Sequence, residues 1–136
     1  MSLFSFFKIG NTTYDVADAA AREITDDVIS SSASTKIYYI PIFRIAIVSL
    51  IGVSAGSMTI DGTPVGVIGM TLSNGKKVIP DRAFNFLGRA TISGSNTVCL
   101  MNVGYQHYIK ILNINGGTVS SAQGCYCQFV FRCTLQ

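Results

Sequence analysis

The stretch CYCQFVFRCTL, Cys125 to Leu135, decides the fold class of this 136-residue chain. Successive side chains of a β-strand point to opposite faces of the sheet, so residues two apart share a face. The alternation predicts one face formed by Cys125, Cys127, Phe129, Phe131, Cys133 and Leu135. The other face is formed by Tyr126, Gln128, Val130, Arg132 and Thr134. One apolar and one mostly polar face are typical of an antiparallel sheet that covers a core.

The same period of two extends back to Thr35, and turn signals interrupt it. The predicted turns are Asp61-Gly62, Asn74-Gly75, Gly94-Ser95-Asn96 and Asn115-Gly116-Gly117. Asn-Gly between alternating segments is a strong hairpin signal, because both residues tolerate the positive φ of a two-residue turn. The sequence therefore predicts a mainly β fold, with an antiparallel β-sandwich or jelly-roll-like head preceded by a short N-terminal hairpin and one helix.

The segment Ile37 to Val53, IYYIPIFRIAIVSLIGV, is apolar at nearly every position. Read as one strand, it would be buried on both faces, so either the N-terminal helix or a neighbouring subunit must cover it. Its 17 residues are also close to the length of a membrane-spanning helix. Pro41 would break such a helix and Arg44 would place a charge near its centre, so we predict no membrane insertion.

The N-terminal FFKIGNTTYDV predicts a small hairpin with its turn at Gly10-Asn11. A helix is expected to begin between Asp15 and Asp18 and to end in the run Ser30-Ser31-Ser32. The apolar residues of that helix have the spacing of a coiled-coil seam, and they are Tyr14, Ala17, Ala21, Ile24 and Val28. The seam either joins copies of the chain or packs on the chain's own β domain. We divide the chain into an N-terminal hairpin and oligomerisation helix, 1–33, and a β-sandwich head, 34–136.

Composition favours a protein whose surface is partly covered by a partner. Charged residues form 12% of the chain, apolar residues 49%, and the mean hydropathy is +0.43. A small domain has a large surface and normally carries about 25% charged residues. The charge is also asymmetric: residues 1–27 hold two basic and five acidic side chains, whereas 28–136 hold eight basic and two acidic ones. No nucleic-acid recognition motif accompanies the basic part, so we expect no nucleic-acid partner.

Residues suited to catalysis are few. His107 is the single histidine, and the β part has two carboxylates, Asp61 and Asp81, both in turn contexts. The cysteines lack the usual zinc-ligand spacing and are interpreted as small buried apolar residues. We therefore predict a protein that is not an enzyme and that holds no cofactor or metal.

Two sets of residues suit binding. Tyr105, Gln106, His107 and Tyr108 combine aromatic rings and hydrogen-bonding groups, a mixture that suits sugars. The basic residues Lys76, Lys77, Arg82 and Arg89 are expected around one hairpin, where they could contact an anionic polymer. The alternatives are an ordinary strand for the first set and a solvated surface for the second.

The segment KIGNTTYDVADAAAREIT, Lys8 to Thr25, resembles the N-terminal segment of phage tail-fibre and baseplate proteins. In that family a strand–turn–strand unit runs into an Asp-Ala-x-Ala-Arg helix, matched here by residues 18–22. DGTPVGVIG (61–69) and GRATISGSNTVCL (88–100) are similar to the β heads of such fibres. The family has no shared binding motif, so the resemblance assigns no binding residue.

The resemblance implies a homotrimer with a helical coiled-coil shoulder and a β head that contacts host-surface glycans or cell-wall polymers. We therefore expect a receptor-binding protein at a phage or prophage tail tip, made in the host cytoplasm and assembled with other tail or baseplate proteins. The alternative is a structural tail component with no receptor binding of its own. Since MSLFSFFKIG lacks the basic start of a secretion signal, cytoplasmic synthesis is also expected from the sequence.

Overall fold

The computed structural model of the chain describes residues 6–15, 20–24, 35–72 and 74–136, and all regular secondary structure in them is β. The strands are β1 (Phe6–Ile9), β2 (Thr12–Asp15), β3 (Arg22–Glu23), β4 (Thr35–Ile40), β5 (Ile45–Ile60), β6 (Thr63–Gly69), β7 (Val78–Pro80), β8 (Phe84–Ile92), β9 (Ser95–Val103), β10 (Tyr108–Asn113) and β11 (Ala122–Leu135). The mainly β fold predicted from the alternation is confirmed.

The strands form two sheets. β1 and β2 make a separate hairpin with Ile9 opposite Thr12, which confirms the predicted turn at Gly10-Asn11. The other nine strands pair antiparallel in the order β3-β4-β5-β6-β10-β9-β8-β11-β7. An additional pairing between β5 and β11 joins the sheet to itself. The strands β5, β6, β10, β9, β8 and β11 therefore form a closed ring.

The core fills the inside of this ring. In β11, Cys125, Phe129, Phe131 and Cys133 are buried and Cys127 packs partly buried against the core, whereas Tyr126, Gln128, Val130 and Arg132 are exposed, as the alternation predicted. The largest fully buried side chains include Ile37, Leu50, Ile68, Met70, Met101, Ile109 and Ile111. Because these residues come from five different strands and from the segment after β6, the core depends on the whole sheet rather than on one hairpin.

Two-residue turns with positive φ connect adjacent strands. Asp61 (φ 50°) and Gly62 (φ 79°) join β5 to β6, as predicted. Ser93 (φ 51°) and Gly94 (φ 82°) join β8 to β9. This second turn lies one residue earlier than the predicted Gly94-Ser95-Asn96, because glycine supplies the second rather than the first positive φ.

The two remaining predicted turns are also present. Leu72 O accepts a hydrogen bond from Gly75 N (2.9 Å), and Asn74 Oδ1 accepts one from Lys76 N (2.9 Å). Ser73, between them, lies outside the described residues. In the loop after β10, Asn113 N donates to Gly117 O (2.8 Å). The Asn-Gly signals therefore marked real chain reversals.

The predicted helix is wrong where the structure describes it. Arg22 and Glu23 form strand β3, paired with Tyr39 and Tyr38 of β4. Lys36 Nζ contacts Glu23 Oε1 at 2.9 Å, an ion pair between the same two strands. A short helix is only marginally stable by itself in water, so pairing with an existing sheet edge outweighs its helix propensity.

The coiled-coil seam loses its basis with the helix. Tyr14 is in β2, and Ala21 is exposed in the segment before β3. Ile24 is buried in the core, and its N–H donates to Ile37 O at 2.8 Å. Ala17 and Val28 lie outside the described residues. The coiled-coil seam requires a continuous helix through residues 20–24, but that segment contains strand β3 instead.

The apolar segment 37–53 is a hairpin rather than one strand. Ile40 at the end of β4 pairs with Ile45 at the start of β5, across a turn formed by residues 41–44. Pro41 has no N–H for a strand ladder, and its carbonyl accepts from Arg44 N at 3.2 Å. Arg44 takes the positive φ, 53°, that reverses the chain. Proline therefore breaks the strand at the point where the apolar pattern alone predicts continuity.

The two faces of β5 differ in burial. Ala46, Val48 and Leu50 are buried in the core. Ile45 and Ile47 are half-buried on the other face, and Ile51 is 53% exposed there. Gly52 (φ 71°) forms a β-bulge at the register shift against β11, and the core face continues beyond it at Val53. The second apolar face of β5 is thus only partly covered by the chain itself.

Candidate binding sites

Residues 104–107 form the connection between β9 and β10 rather than part of a strand. Tyr105 and Gln106 are exposed, and Tyr105 keeps 68% of its surface accessible. His107 is half-buried, while Tyr108 begins β10 and is buried, with the two rings edge-on at 5.5 Å. The four predicted ligand residues are therefore neighbours, but only the first three reach solvent to a useful extent.

Lys77 lies beside this loop. Burial, and secondly the positive charge of Lys77, lowers the pKa of His107 below its usual value. His107 O also accepts a hydrogen bond from Met70 N at 2.7 Å, which fixes the loop to the segment that follows β6. The fold thus brings Lys77, one member of the predicted basic set, close to the aromatic loop.

A depression of about 320 Å³ lies next to His107 and Tyr108, and its lining combines hydroxyl groups with the apolar side chains of Met58 and Val67. Its other lining residues include Ser54, Ser57 and Thr71. Hydroxyl groups both donate and accept hydrogen bonds, so they match the hydroxyl groups of a sugar. This depression extends the predicted sugar-binding surface from the loop onto β5.

The four predicted basic residues do not form one cluster. Lys76 and Lys77 belong to the Asn74-Gly75 turn, whereas Arg82 precedes β8. Arg89 is in the middle of β8, where its Nε donates to Asn96 Oδ1 at 3.0 Å. At ~3.3 Å per strand residue, Arg89 lies roughly 23 Å along the chain from Arg82. The sequence alone could not predict this separation of the basic residues, because the separation depends on where β8 begins.

A groove of about 520 Å³ opens between β8 and β11, which we name the seam groove. It is lined by Ile45, Asp81, Arg82, Phe84, Val130, Phe131 and Arg132. Arg82 was the only one of these among the predicted binding residues. The others come from three separate parts of the chain, and the sequence carries no local signal that joins them.

Asp81 is held firmly at the edge of the seam groove. Its carboxylate lies 3.4 Å from Arg44 Nη2 and accepts a hydrogen bond from Thr134 Oγ1 at 3.0 Å. Its N–H donates to Arg132 O at 2.8 Å. Among the described residues, neither Arg82 nor Arg132 forms an ion pair. The carboxylate of the groove is therefore balanced by Arg44, and the two further guanidinium groups have no ion-pair partner within the described part of the chain.

The outer surface of the ring carries exposed apolar side chains on neighbouring strands. We name these residues the outer stripe: Ile51, Leu87, Val98 and Tyr126. Tyr126 pairs with Ile51 on β5 and with Arg89 on β8, and Arg89 pairs with Val98 on β9. Contiguous exposed apolar surface on a small protein marks an interaction site. The outer stripe was partly foreseen in the two apolar faces of 37–53.

The cysteines behave as core residues. All four are free thiols, and Cys99, Cys125 and Cys133 are buried, which confirms their interpretation as small apolar side chains. Burial raises the pKa of Cys125 to about 11 and that of Cys133 to about 12. A thiol with so high a pKa is a poor nucleophile and a poor metal ligand at neutral pH.

Within the described part of the chain, no three His, Cys, Asp or Glu side chains are grouped as metal ligands. In that same part, no helix has the length and apolar character needed to cross a membrane. No protein-family model, curated protein or solved structure matches the chain.

Proposed function

We propose that this chain is a receptor-binding protein of a phage or prophage tail tip, a homotrimer whose β head binds a host-surface glycan or an anionic cell-wall polymer. The sandwich or jelly-roll layering of the head, predicted from the sequence, is part of this proposal. The observation that carries it is the combination of a groove lined by Arg82 and Arg132 and an aromatic loop close to it on one sheet.

The pairing around Val103 supports a single ligand-binding end. Val103 at the end of β9 pairs with Phe84 at the start of β8 and with Ile109 in β10. The seam groove begins at Phe84, and the aromatic loop starts directly after Val103. The groove and the loop therefore border the same strand end, so one extended polymer could contact both.

The outer stripe supports association between copies. Leu87 is 67% exposed, and Ile51 and Tyr126 are each more than half exposed. Burying a large apolar side chain contributes roughly 1.5–3 kcal/mol, so covering several of them stabilises an assembly. The chain also has few charges with which to solvate this surface. We therefore place the contact between copies on the stripe rather than on the N-terminal segment.

The test of ligand binding is a cell-wall polymer and glycan array probed with the full chain at several salt concentrations. We expect binding to an anionic polymer that weakens as salt rises, because exposed charges are screened beyond about 10 Å at 0.1 M. Lys77→Glu should weaken it at least about tenfold, since like charge replaces attraction. Lys8→Glu is the matched control, because Lys8 lies in the separate β1–β2 hairpin.

Two outcomes would change the proposal. Absence of binding to every glycan and cell-wall polymer would remove the receptor-binding role, and an oligomer without ligands would then favour the structural tail component. Equal loss of binding in the Lys8 and Lys77 variants would mean that the attraction is non-specific and does not involve the aromatic loop.

A further inference from the structure

The seam groove exists because two strands of the ring separate. The ladder between β8 and β11 contains Gln123 opposite Thr91 and Tyr126 opposite Arg89, and extends no further along β11. β7 takes over only at the far end of β11, where it pairs with residues 133–135. Between these two ladders Phe84 forms one lip of the groove and Val130 the other. The opening thus follows from strand pairing, and the segment between β7 and β8 adds Asp81 and Arg82 to its lining.

The charge in the groove favours an anion. Asp81 is paired with Arg44 and accepts a hydrogen bond from Thr134. Arg82 and Arg132 line the same groove and have no ion-pair partner among the described residues. A guanidinium group presents a planar set of donors that matches a carboxylate or a phosphate. Two such groups on one groove provide a strong preference for an oxyanion.

The walls of the groove favour a ligand that also has an apolar surface. Phe84 is 42% exposed, and Val130 and Ile45 are aliphatic. Phe131 is buried and closes the floor. An exposed aromatic ring next to polar groups is suited to the apolar face of a sugar ring. The volume of about 520 Å³ is within the usual range of small-ligand sites.

We propose that the seam groove binds an acidic sugar residue, with its carboxylate on Arg82 and Arg132 and one face of its ring on Phe84. This assignment rests on the proposed function, because it names the unit of the host polymer that the head recognises. A sugar phosphate has the same oxyanion chemistry. The carboxylate of an acidic sugar and the phosphate of a sugar phosphate differ in geometry and charge, and the ligands used in the test distinguish between them.

The test is an NMR titration of the full chain with four ligands: glucuronate, glucose, glucose 6-phosphate and hexanoate. We expect glucuronate to shift resonances of Phe84, Val130 and Arg132, and glucose and hexanoate to bind at least about tenfold more weakly. Arg82→Gln and Arg132→Gln should each weaken glucuronate binding about ten- to a hundredfold, as expected for loss of a charge-assisted hydrogen bond. Lys8→Gln is the matched control and should leave the affinity unchanged, because Lys8 lies in the separate β1–β2 hairpin.

Several results would overturn the inference. Tighter binding of glucose 6-phosphate than of glucuronate would reassign the groove to phosphorylated sugars. Equal binding of hexanoate and glucuronate would show that the groove does not recognise the sugar ring. Unchanged affinity in both arginine variants would place the site elsewhere. An unchanged unfolding temperature shows that the variants are folded. If cells bind the protein while glucuronate does not, only this inference fails; if glucuronate binds while cells do not, only the proposed function fails.

Discussion

Replacing Gly88 with alanine tests the closure of the strand ring. Gly88 is in β8, opposite Cys99 of β9. A Cβ at this position would lie 2.7 Å from Met101 Cε and 2.8 Å from Tyr126 O. The methionine side chain can move away, but Tyr126 O belongs to the backbone of β11. The substitution must therefore push β8 away from β11 close to the position where their ladder ends.

The expected cost follows from this overlap. Overpacking by one methyl group costs typically about 1–3 kcal/mol. For a chain of this length we expect a decrease of roughly 3–5 °C in Tm per kcal/mol, hence about 3–15 °C in total. Gly56→Ala is the matched control, because no heavy atom lies within 4 Å of its Cβ position and its φ is not positive. That variant should gain about 0.4–1 kcal/mol through the lower entropy of its unfolded chain.

The assay is thermal and urea unfolding of both variants, followed by circular dichroism at one protein concentration. Gly88→Ala should be less stable and Gly56→Ala more stable than the original chain, with unchanged urea m-values. If Gly88→Ala were as stable as Gly56→Ala, β8 could not lie against β11 as described. The ring closure and the position of the seam groove would then both be refuted.

Three further predictions concern the surface, the core thiols and the loop. Leu87→Lys should weaken self-association in sedimentation velocity by at least about tenfold, because it places a charge on the outer stripe. Ile114→Lys, at a 58% exposed loop position, should leave self-association unchanged, and equal effects of the two variants would contradict a contact through the outer stripe. Burial raises the pKa of Cys133 to about 12, so the buried neutral thiol favours the folded state fully below the ordinary thiol pKa, and this stability is lost as pH rises through 9–12. Urea unfolding at pH 7, 9 and 10.5 should show the free energy of unfolding decline, and an unchanged free energy would contradict the prediction. Lys77→Met should raise the pKa of His107 in an NMR titration, and an unchanged or lower value would place Lys77 elsewhere.

The β fold could be predicted because its signals are local. The alternation in β11 corresponds to the burial of Cys125, Phe129, Phe131 and Cys133, with Cys127 on the same face partly buried. The Asp-Gly and Asn-Gly turns were predictable for the same reason, since positive φ is a property of the turn residues themselves. Each of these inferences needs only a few adjacent residues.

The errors came from interactions between distant residues. The pattern around Ile24 suits a helix, but Ile24 gains burial and a backbone hydrogen bond to Ile37 when its segment joins the sheet edge. Such tertiary contacts routinely outweigh helix propensity. The seam groove combines Ile45, Phe84 and Arg132, which only the strand pairing brings together. No periodicity within one segment could have revealed it.

The central claim is that copies of this chain cover one another's outer stripe. Sedimentation equilibrium of the full chain over a wide concentration range tests it most directly. We expect an average mass that rises from one chain towards three as concentration increases, with association that persists at high salt because the contact is apolar. A mass of 14.6 kDa at every concentration would contradict the claim.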